Sequence, residues 1–421
     1  MMLRVWHDAR TVGTLRQEDR RLAFKYDPSW IHAADSFPLS PRLPLADADF
    51  IGDEPLYFFS NLLPEGALLR ALCKLKRLPE GDTFAQLAAF GADAAGAFEL
   101  LPEGETPSRK HWEYKRYTAK ELSTDLERMR KGALPLLGSH QELRLSLAGA
   151  QDKLPVHFED GKLSLPMGGA PSTHILKPNL EPRGEFPLAV ENEALCLTLA
   201  QLALSESGDI LVAKATVIEN AGEKLLLVER FDRARDDRGW RRLHQLDFCQ
   251  LAGVLPDQKY EKDGGPGFAR LFSLLGEHSA LPAVDRLHAL DWALFNFLIG
   301  NADAHAKNIA VMPAGGGLYL LAPFYDLLAT SFYRQLTPNL AMRIGGEDRP
   351  DWIRAANWQR YAGDGGFNRS LLRDRIIALG EKVSANLESA AEQIGLGKES
   401  PLLPHFRKTV AKRLRISSRI E

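Results

Sequence analysis

The sequence predicts an α+β fold of two lobes, β-rich then helical, with a smaller α/β unit in front. Apolar, β-branched runs bounded by turn residues gather between His174 and Glu229. From Gln245 onward the periodicity is mainly helical. Glu103 to Lys110 is a polar linker that sets a first unit apart. At 421 residues the chain exceeds one ordinary core. The expected units are 1–105, 106–235 and 236–421.

In the first unit, Leu3 to Leu15 alternates around a polar turn, so short strands come first. Asn61 to Leu78 has helical periodicity, opened by the local signal Pro64-Glu65. Gly91 to Ala97 is a small-residue turn before a strand ending in Leu100-Leu101-Pro102. The second unit begins near Trp112. It has a helix over Lys120 to Arg130, then a Gly/Ser segment around Gly138-Ser139. His174 to Lys177 is strand-like, and Pro178 ends it because proline cannot donate to a ladder. Leu188 to Leu204 is helical. Ile210 to Glu219 and Lys224 to Glu229 form a hairpin about Asn220-Ala221-Gly222. In the helical lobe a second hairpin, Val311 to Phe324, turns at Gly315-Gly316-Gly317. A crevice between two such lobes is a common site for a nucleotide.

Composition narrows the class. The chain is 45% hydrophobic and 26% charged, as soluble globular proteins are. A formal net charge of -2 argues against wholesale nucleic-acid coating. Arg407, Lys408, Lys412, Arg413, Arg415 and Arg419 make a local basic patch, read as a solvated helix end. Cys73, Cys196 and Cys249 are far apart with no CxxC, so a reducing cytoplasm is expected. The first residues reach charge before an apolar stretch, unlike a secretory signal. Ala289 to Ala302 is broken by Asp291 and Asn296 and is too short to cross a bilayer.

One constellation carries chemistry. Phosphoryl transfer needs a cation on the phosphates, metal ions on the oxygens, and a base for the attacking hydroxyl. In order, the chain offers a small-residue loop at Ala148-Gly149-Ala150, a strand lysine at Lys177, and a helix with Glu191 and Glu193. Then come a hairpin ending at Glu229-Arg230-Phe231, and Asp303, Asn308 and Asp326. Asp303 and Asn308 have the Asp-x-x-x-x-Asn spacing of a protein-kinase catalytic loop. There the Asp orients the substrate hydroxyl and the Asn carbonyl ligates Mg²⁺. Asp326 stands where kinases place their later metal-binding Asp. Each part has a plainer reading: Asp303 and His305 as a metal or hydrolase pair or a capped helix end, Lys177 as a surface lysine, Phe231 as core. Glu193 shares its helical face with Cys196, Leu197 and Ala200, so it needs a cationic partner. Lys177 would serve, with Glu191 as the competing carboxylate. His157, His244, His278 and His288 read as structural. No P-loop, dinucleotide fingerprint, zincin or serine-hydrolase motif occurs.

Several stretches together resemble the HipA family, serine/threonine kinase toxins of HipBA toxin–antitoxin modules. They are Arg144 to Lys153, Thr173 to Lys177, Val228 to Arg233, Lys259 to Gly267, Asp303 to Asn308 and Pro323 to Asp326. Phe58 to Glu65 and Gly91 to Pro102 extend the likeness into the first unit. The resemblance implies a eukaryotic-protein-kinase-like C-terminal region, a packed N-terminal α/β subdomain, ATP and Mg²⁺. It implies Asp303 as the catalytic aspartate, Asn308 and Asp326 as metal ligands, and Lys177 as the phosphate-binding lysine. Ala148, Gly149, Ala150, Gln151, Asp152 and Lys153 would form the phosphate loop, and Glu229, Arg230 and Phe231 the adenine hinge. His305, Lys307, Asn308 and Tyr325 would make further nucleotide contacts.

Ser146 matches the family's autophosphorylated serine. A phosphate there would repel a loop built to hold phosphates, so self-labelling would be self-inactivating. The family's substrates are aminoacyl-tRNA synthetases, the glutamyl enzyme first, with growth arrest and persistence as the outcome. Its partner is HipB, a helix-turn-helix antitoxin, and the pair represses its own operon on operator DNA. One departure is Gly345 to Asp351, acidic on balance where relatives can carry lysines, so DNA contact would come mainly through the partner. A small-molecule kinase and a catalytically silent regulatory protein are the alternatives.

Overall fold

The computed structural model describes residues 2–91, 96–107, 112–130, 153–179, 186–205, 211–237, 239–417 and 420. Alternation builds the first sheet. Strands β1 (Met2–His7), β2 (Arg10–Glu18) and β3 (Arg21–Tyr26) turn Leu3, Val5, Leu15, Leu22 and Phe24 inward. Asp19 and Arg20 join β2 to β3 with φ of 46° and 65°, as a two-residue type I′ turn requires. There follow α1 (Pro28–Ile31), β4 (Asp49–Ile51), α2 (Asp53–Ser60), α3 (Gly66–Lys76), α4 (Thr83–Phe90) and β5 (Phe98–Pro102). The sheet order is β4-β3-β2-β1-β5. Helix α3 starts at Gly66 rather than at Asn61. Pro64 disfavours helical geometry at Leu63, and Asn61 to Leu63 form a turn instead.

The second sheet holds six strands in the order β10-β11-β9-β7-β8-β6. They are β6 (Glu113–Arg116), β7 (Leu154–Glu159), β8 (Lys162–Met167), β9 (His174–Pro178), β10 (Ala215–Asn220) and β11 (Glu223–Glu229). Helix α5 (Ala119–Arg130) covers one face, where Leu122, Leu126, Leu154, Leu176 and Leu225 form a small separate core. Helix α6 (Ala189–Leu204) lies between β9, β10 and β11 on one side and the helical lobe on the other. It is therefore buried on nearly every side, as an apolar helix must be.

A two-stranded ribbon, β12 (Arg233–Asp236) with β13 (Gly239–Arg242), leads onward. The helical lobe contains α7 (Phe248–Ala252), α8 (Phe268–His278), α9 (Pro282–Ile299), α10 (Ala355–Gly365), α11 (Arg369–Gln393) and α12 (Leu402–Ser417). Its small sheet pairs β14 (Leu246–Asp247) with β15 (Ala310–Gly315), and β15 with β16 (Leu318–Leu321). The two lobes and the α/β unit ahead of them match the fold class expected. One apolar cluster runs unbroken from Leu3 and Phe24 of the first sheet to Phe297 and Phe406 of the helical lobe. The basic patch departs from expectation. Arg413 is buried on Phe297 and paired with Asp351 at 2.8 Å, and Lys412 shares that carboxylate at 2.7 Å. Arg419 lies outside the described residues. No helix among the described residues is long and apolar enough to cross a membrane.

Candidate active site

Helix α9 stops at Gly300, whose φ is 76°. A Cβ there would lie 2.2 Å from Ser331 Oγ, so only glycine closes this turn. The loop Asn301–Asn308 follows and is tied down by its own amides. Asn301 Nδ2 donates to Asn296 Oδ1 at 2.7 Å, and Asn301 Oδ1 accepts the Asp303 N–H at 3.0 Å. Asn308 Nδ2 donates to the Asp303 carbonyl at 2.9 Å. The backbone of Asp303 is thus gripped from both sides while its side chain stays exposed to the crevice. Tyr260 Oη donates to Asp303 Oδ1 at 2.7 Å.

Opposite this loop, β9 delivers Lys177 and α6 delivers Glu193. Their Nζ and Oε1 are 2.7 Å apart and both residues are buried. Lys177 also donates to Asp326 Oδ1. The surface reading of Lys177 is thereby excluded. Glu191 points elsewhere, to Lys224 at 3.3 Å. Asp326 has φ of 52°, a left-handed conformation that Asp tolerates better than most residues. Burial opposes the charge on Lys177, but Asp326 and Glu193 outweigh it and raise its pKa. Burial would raise Asp326 too, yet Lys177 and Lys153 hold it down at about 2. Glu193, more deeply placed, is raised by burial against the pull of Lys177. Lys153, half-buried at the same wall, is pushed down to about 8 by burial and then by Lys177.

The segment after β11 is the one expected to serve as a hinge. The Arg230 guanidinium is buried and donates to Asp232 at 2.9 and 2.7 Å and to Ser172 Oγ at 3.0 Å. Its side chain is committed within the protein. Phe231 lies 5.5 Å from the Tyr325 ring at 31° and, with Glu229, borders the cavity. Tyr325 Oη donates to the Lys307 carbonyl at 2.7 Å.

The Lys307 side chain is engaged within the protein. Its ammonium donates to Asp247 Oδ2 at 2.6 Å and to Asn61 Oδ1 at 2.8 Å, with Glu65 Oε1 at 3.7 Å. Burial opposes this charge, but Asp247 and Glu65 raise its pKa. Glu65 also accepts from Lys259 at 2.9 Å. The first unit therefore reaches into the site through Asn61 and Glu65. Sequence reasoning quoted the stretches holding Asn61, Glu65, Lys259 and Tyr260 without assigning them roles, and it passed over Asp247. No local pattern marks these residues, because their partners lie far along the chain. Ser146, Ala148, Gly149, Ala150, Gln151 and Asp152 lie outside the described residues.

Lys153, Lys177, Glu193, Phe231, Asp303, Lys307, Asn308 and Asp326 border one cavity of about 820 Å³, within the range of small-molecule sites. Its walls fit a nucleotide with a divalent cation. Lys177 and Lys153 would supply positive charge for phosphates. The Asp326 carboxylate and the Asn308 amide oxygen are the hard donors that Mg²⁺ takes in ones and twos beside substrate phosphates. His305 Nδ1 is buried beside the cavity with no hydrogen-bond partner among the described residues, as expected where a polar ligand sits.

Residues 3–101 match the HipA N-terminal domain, and residues 145–391 the HipA-like C-terminal domain. The kinase-named Y4mE protein of Sinorhizobium fredii is 38% identical over 99% of this chain and 98% of its own length. The serine/threonine-protein kinase toxin HipA of Shewanella oneidensis is 31% identical over 86% of this chain and 82% of its own. A solved complex of Shewanella oneidensis HipA with HipB and its operator DNA superposes with a TM-score of 0.86 at 27% identity. It covers 99% of this chain and 98% of that one. Sequence and fold thus agree over nearly the whole length, and the chain belongs to the HipA family of serine/threonine-protein kinase toxins.

Proposed function

We propose that this protein transfers the γ-phosphate of ATP to a serine or threonine hydroxyl of a protein substrate, within the cavity between the two lobes. The observation that carries this is the convergence of Lys177, Glu193 and Asp326 on the same cavity as Asp303 and Asn308. Lys177 and Lys153 bind the phosphates, and Glu193 keeps Lys177 in place. Asn308 and Asp326 would hold Mg²⁺, which would offset the charge on the phosphate oxygens. Phe231 and Tyr325 form the adenine wall. Asp303 orients the acceptor hydroxyl and takes its proton as the oxygen–phosphorus bond forms and ADP leaves. In this reading 1–105 is the supporting subdomain, 106–235 the nucleotide lobe and 236–421 the catalytic lobe.

The finer reading follows the family. The substrate is an aminoacyl-tRNA synthetase, the glutamyl enzyme first, in the cytoplasm. Autophosphorylation at Ser146 shuts the kinase off. A HipB-like antitoxin partners the chain and carries most of the operator contact. The likeness to the Shewanella complex supports the antitoxin and DNA. The pairing of Asp351 with Lys412 and Arg413 supports a minor DNA role for the 345–351 loop.

The test is labelling with γ-labelled ATP and Mg²⁺ against a panel of synthetases with their tRNAs, using Asp303→Ala as control. The expected result is Asp303-dependent label on the glutamyl enzyme and on Ser146. Label independent of Asp303, or none on any synthetase, refutes the corresponding part.

A further inference from the structure

Tyr260 sits between two short 3₁₀ turns, Pro256–Gln258 and Glu261–Asp263. The segment is fastened on both sides. The Ala306 N–H donates to the Lys259 carbonyl at 3.2 Å, and the Glu261 N–H to the Ala341 carbonyl at 3.1 Å. The turn closes tightly on Gly265, where a Cβ would meet the Gln258 carbonyl at 2.0 Å. The Tyr260 ring meets His305 edge-on at 5.1 Å, with Lys259 and Lys262 ammoniums 5.7 and 5.5 Å from its centroid. Ring and backbone are thus set before the hydroxyl is considered. That hydroxyl donates to Asp303 Oδ1 at 2.7 Å.

We propose that Tyr260 is a positioning residue for phosphoryl transfer: it holds one oxygen of Asp303 so that the other faces the acceptor hydroxyl. This rests on the reading of Asp303 as the proton acceptor. The terminal torsion of an exposed aspartate is broad and nearly two-fold, so by itself it does not select a carboxylate plane. A single donor from a fixed ring selects one and so preorganises the acceptor. Burial, and next the Asp303 charge, push the Tyr260 pKa up, so the phenol remains a donor through the neutral range. In the transfer itself the acceptor oxygen bonds to the γ-phosphorus, and the bond to the bridging oxygen of ADP breaks. That oxygen keeps the electron pair, and the hydroxyl proton passes to Asp303 Oδ2. Tyr260 keeps its proton throughout.

The experiment compares full-length protein with Tyr260→Phe, which retains the ring against His305 and the two lysines. Labelling uses ATP, Mg²⁺ and glutamyl-tRNA synthetase with its tRNA, with self-labelling as a second acceptor. The expected result is a kcat lower by roughly 10- to 100-fold, the scale of a lost hydrogen bond to a charged group. The KM for ATP and the melting temperature stay unchanged. A kcat within about threefold of the parent overturns the proposal. So does a raised KM for ATP at constant kcat, which assigns Tyr260 to nucleotide binding. If the parent shows no Asp303-dependent label at all, the functional reading falls and takes this inference with it. Loss of effect in Tyr260→Phe alone removes only the inference.

Discussion

Replacing Lys307 by methionine keeps the side chain's length and removes its charge. Lys307 is 7% exposed, and its ammonium serves Asp247, Asn61 and Glu65 together. Removing one partner from a buried ion pair costs about 3–5 kcal/mol, because the other charge is left unpaired. Here the orphans keep some support. Asp247 still accepts the Gln250 N–H at 2.9 Å, and Glu65 still accepts from Lys259 at 2.9 Å. The low end, about 3 kcal/mol, is expected. For a chain of this length unfolding as one unit, that lowers Tm by about 3–4 °C. The ATP dissociation constant, read by calorimetry, stays within about threefold, since the ammonium faces Asp247 and Asn61 and not the hinge. Adding Asp247→Asn to the methionine variant restores part of the loss, because the two sites share one contact. An unchanged Tm with ATP binding weakened tenfold or more would refute this reasoning and return Lys307 to the nucleotide.

Lys177→Met leaves Glu193 and Asp326 without the cation between them. ATP affinity is expected to fall roughly 10- to 100-fold by calorimetry, and Tm to fall as well; retained affinity would show that Lys177 serves only the fold. Burial would raise the Asp232 carboxyl, but Arg230 and Arg233 hold it at about 2. The folded pKa is the lower one, so the unfolded chain binds more protons at acid pH. This stability is present above about pH 4 and is lost as pH falls toward 2. Its size at neutral pH is roughly 2 kcal/mol. Urea midpoints from pH 5 to pH 2 should therefore drop in the parent more steeply than in Asp232→Asn, and parallel curves would disprove it. Gly345→Ala puts a Cβ 1.9 Å from the Asn357 carbonyl at a φ of 54°. A loss of about 2–4 kcal/mol in urea unfolding is expected, and a neutral effect would contradict the backbone placement.

Local sequence signals carried much of the architecture. Helices α5 and α6 start and stop within a residue of their periodicity, because their apolar stripes and flanking breakers are adjacent in sequence. The Ala221-Gly222 turn carries φ of 52° and 81°, as its residue types imply. The hairpin of β7 and β8 was missed, although Asp160-Gly161, with φ of 51° and 71°, is the same turn signal. The ribbon of β12 and β13 was missed for a different reason. Its strands, Arg233-Ala234-Arg235-Asp236 and Gly239-Trp240-Arg241-Arg242, are too short and too charged to show alternation.

What the sequence alone determined is what depends on near neighbours and on the order of chemical groups. That covers the two lobes, the loop from Asp303 to Asn308, and the candidate set of Lys177, Asp326 and either Glu191 or Glu193. Only the tertiary structure decided which groups meet. It chose Glu193 over Glu191 for Lys177, since α6 turns one carboxylate to β9 and the other to Lys224. It set the Lys307 ammonium against Asp247 and Asn61. It set the Tyr260 hydroxyl on Asp303. The physical reason is common to all three. A buried charge must find a counter-charge or a donor within a few ångströms, and packing of distant segments alone determines which one is there.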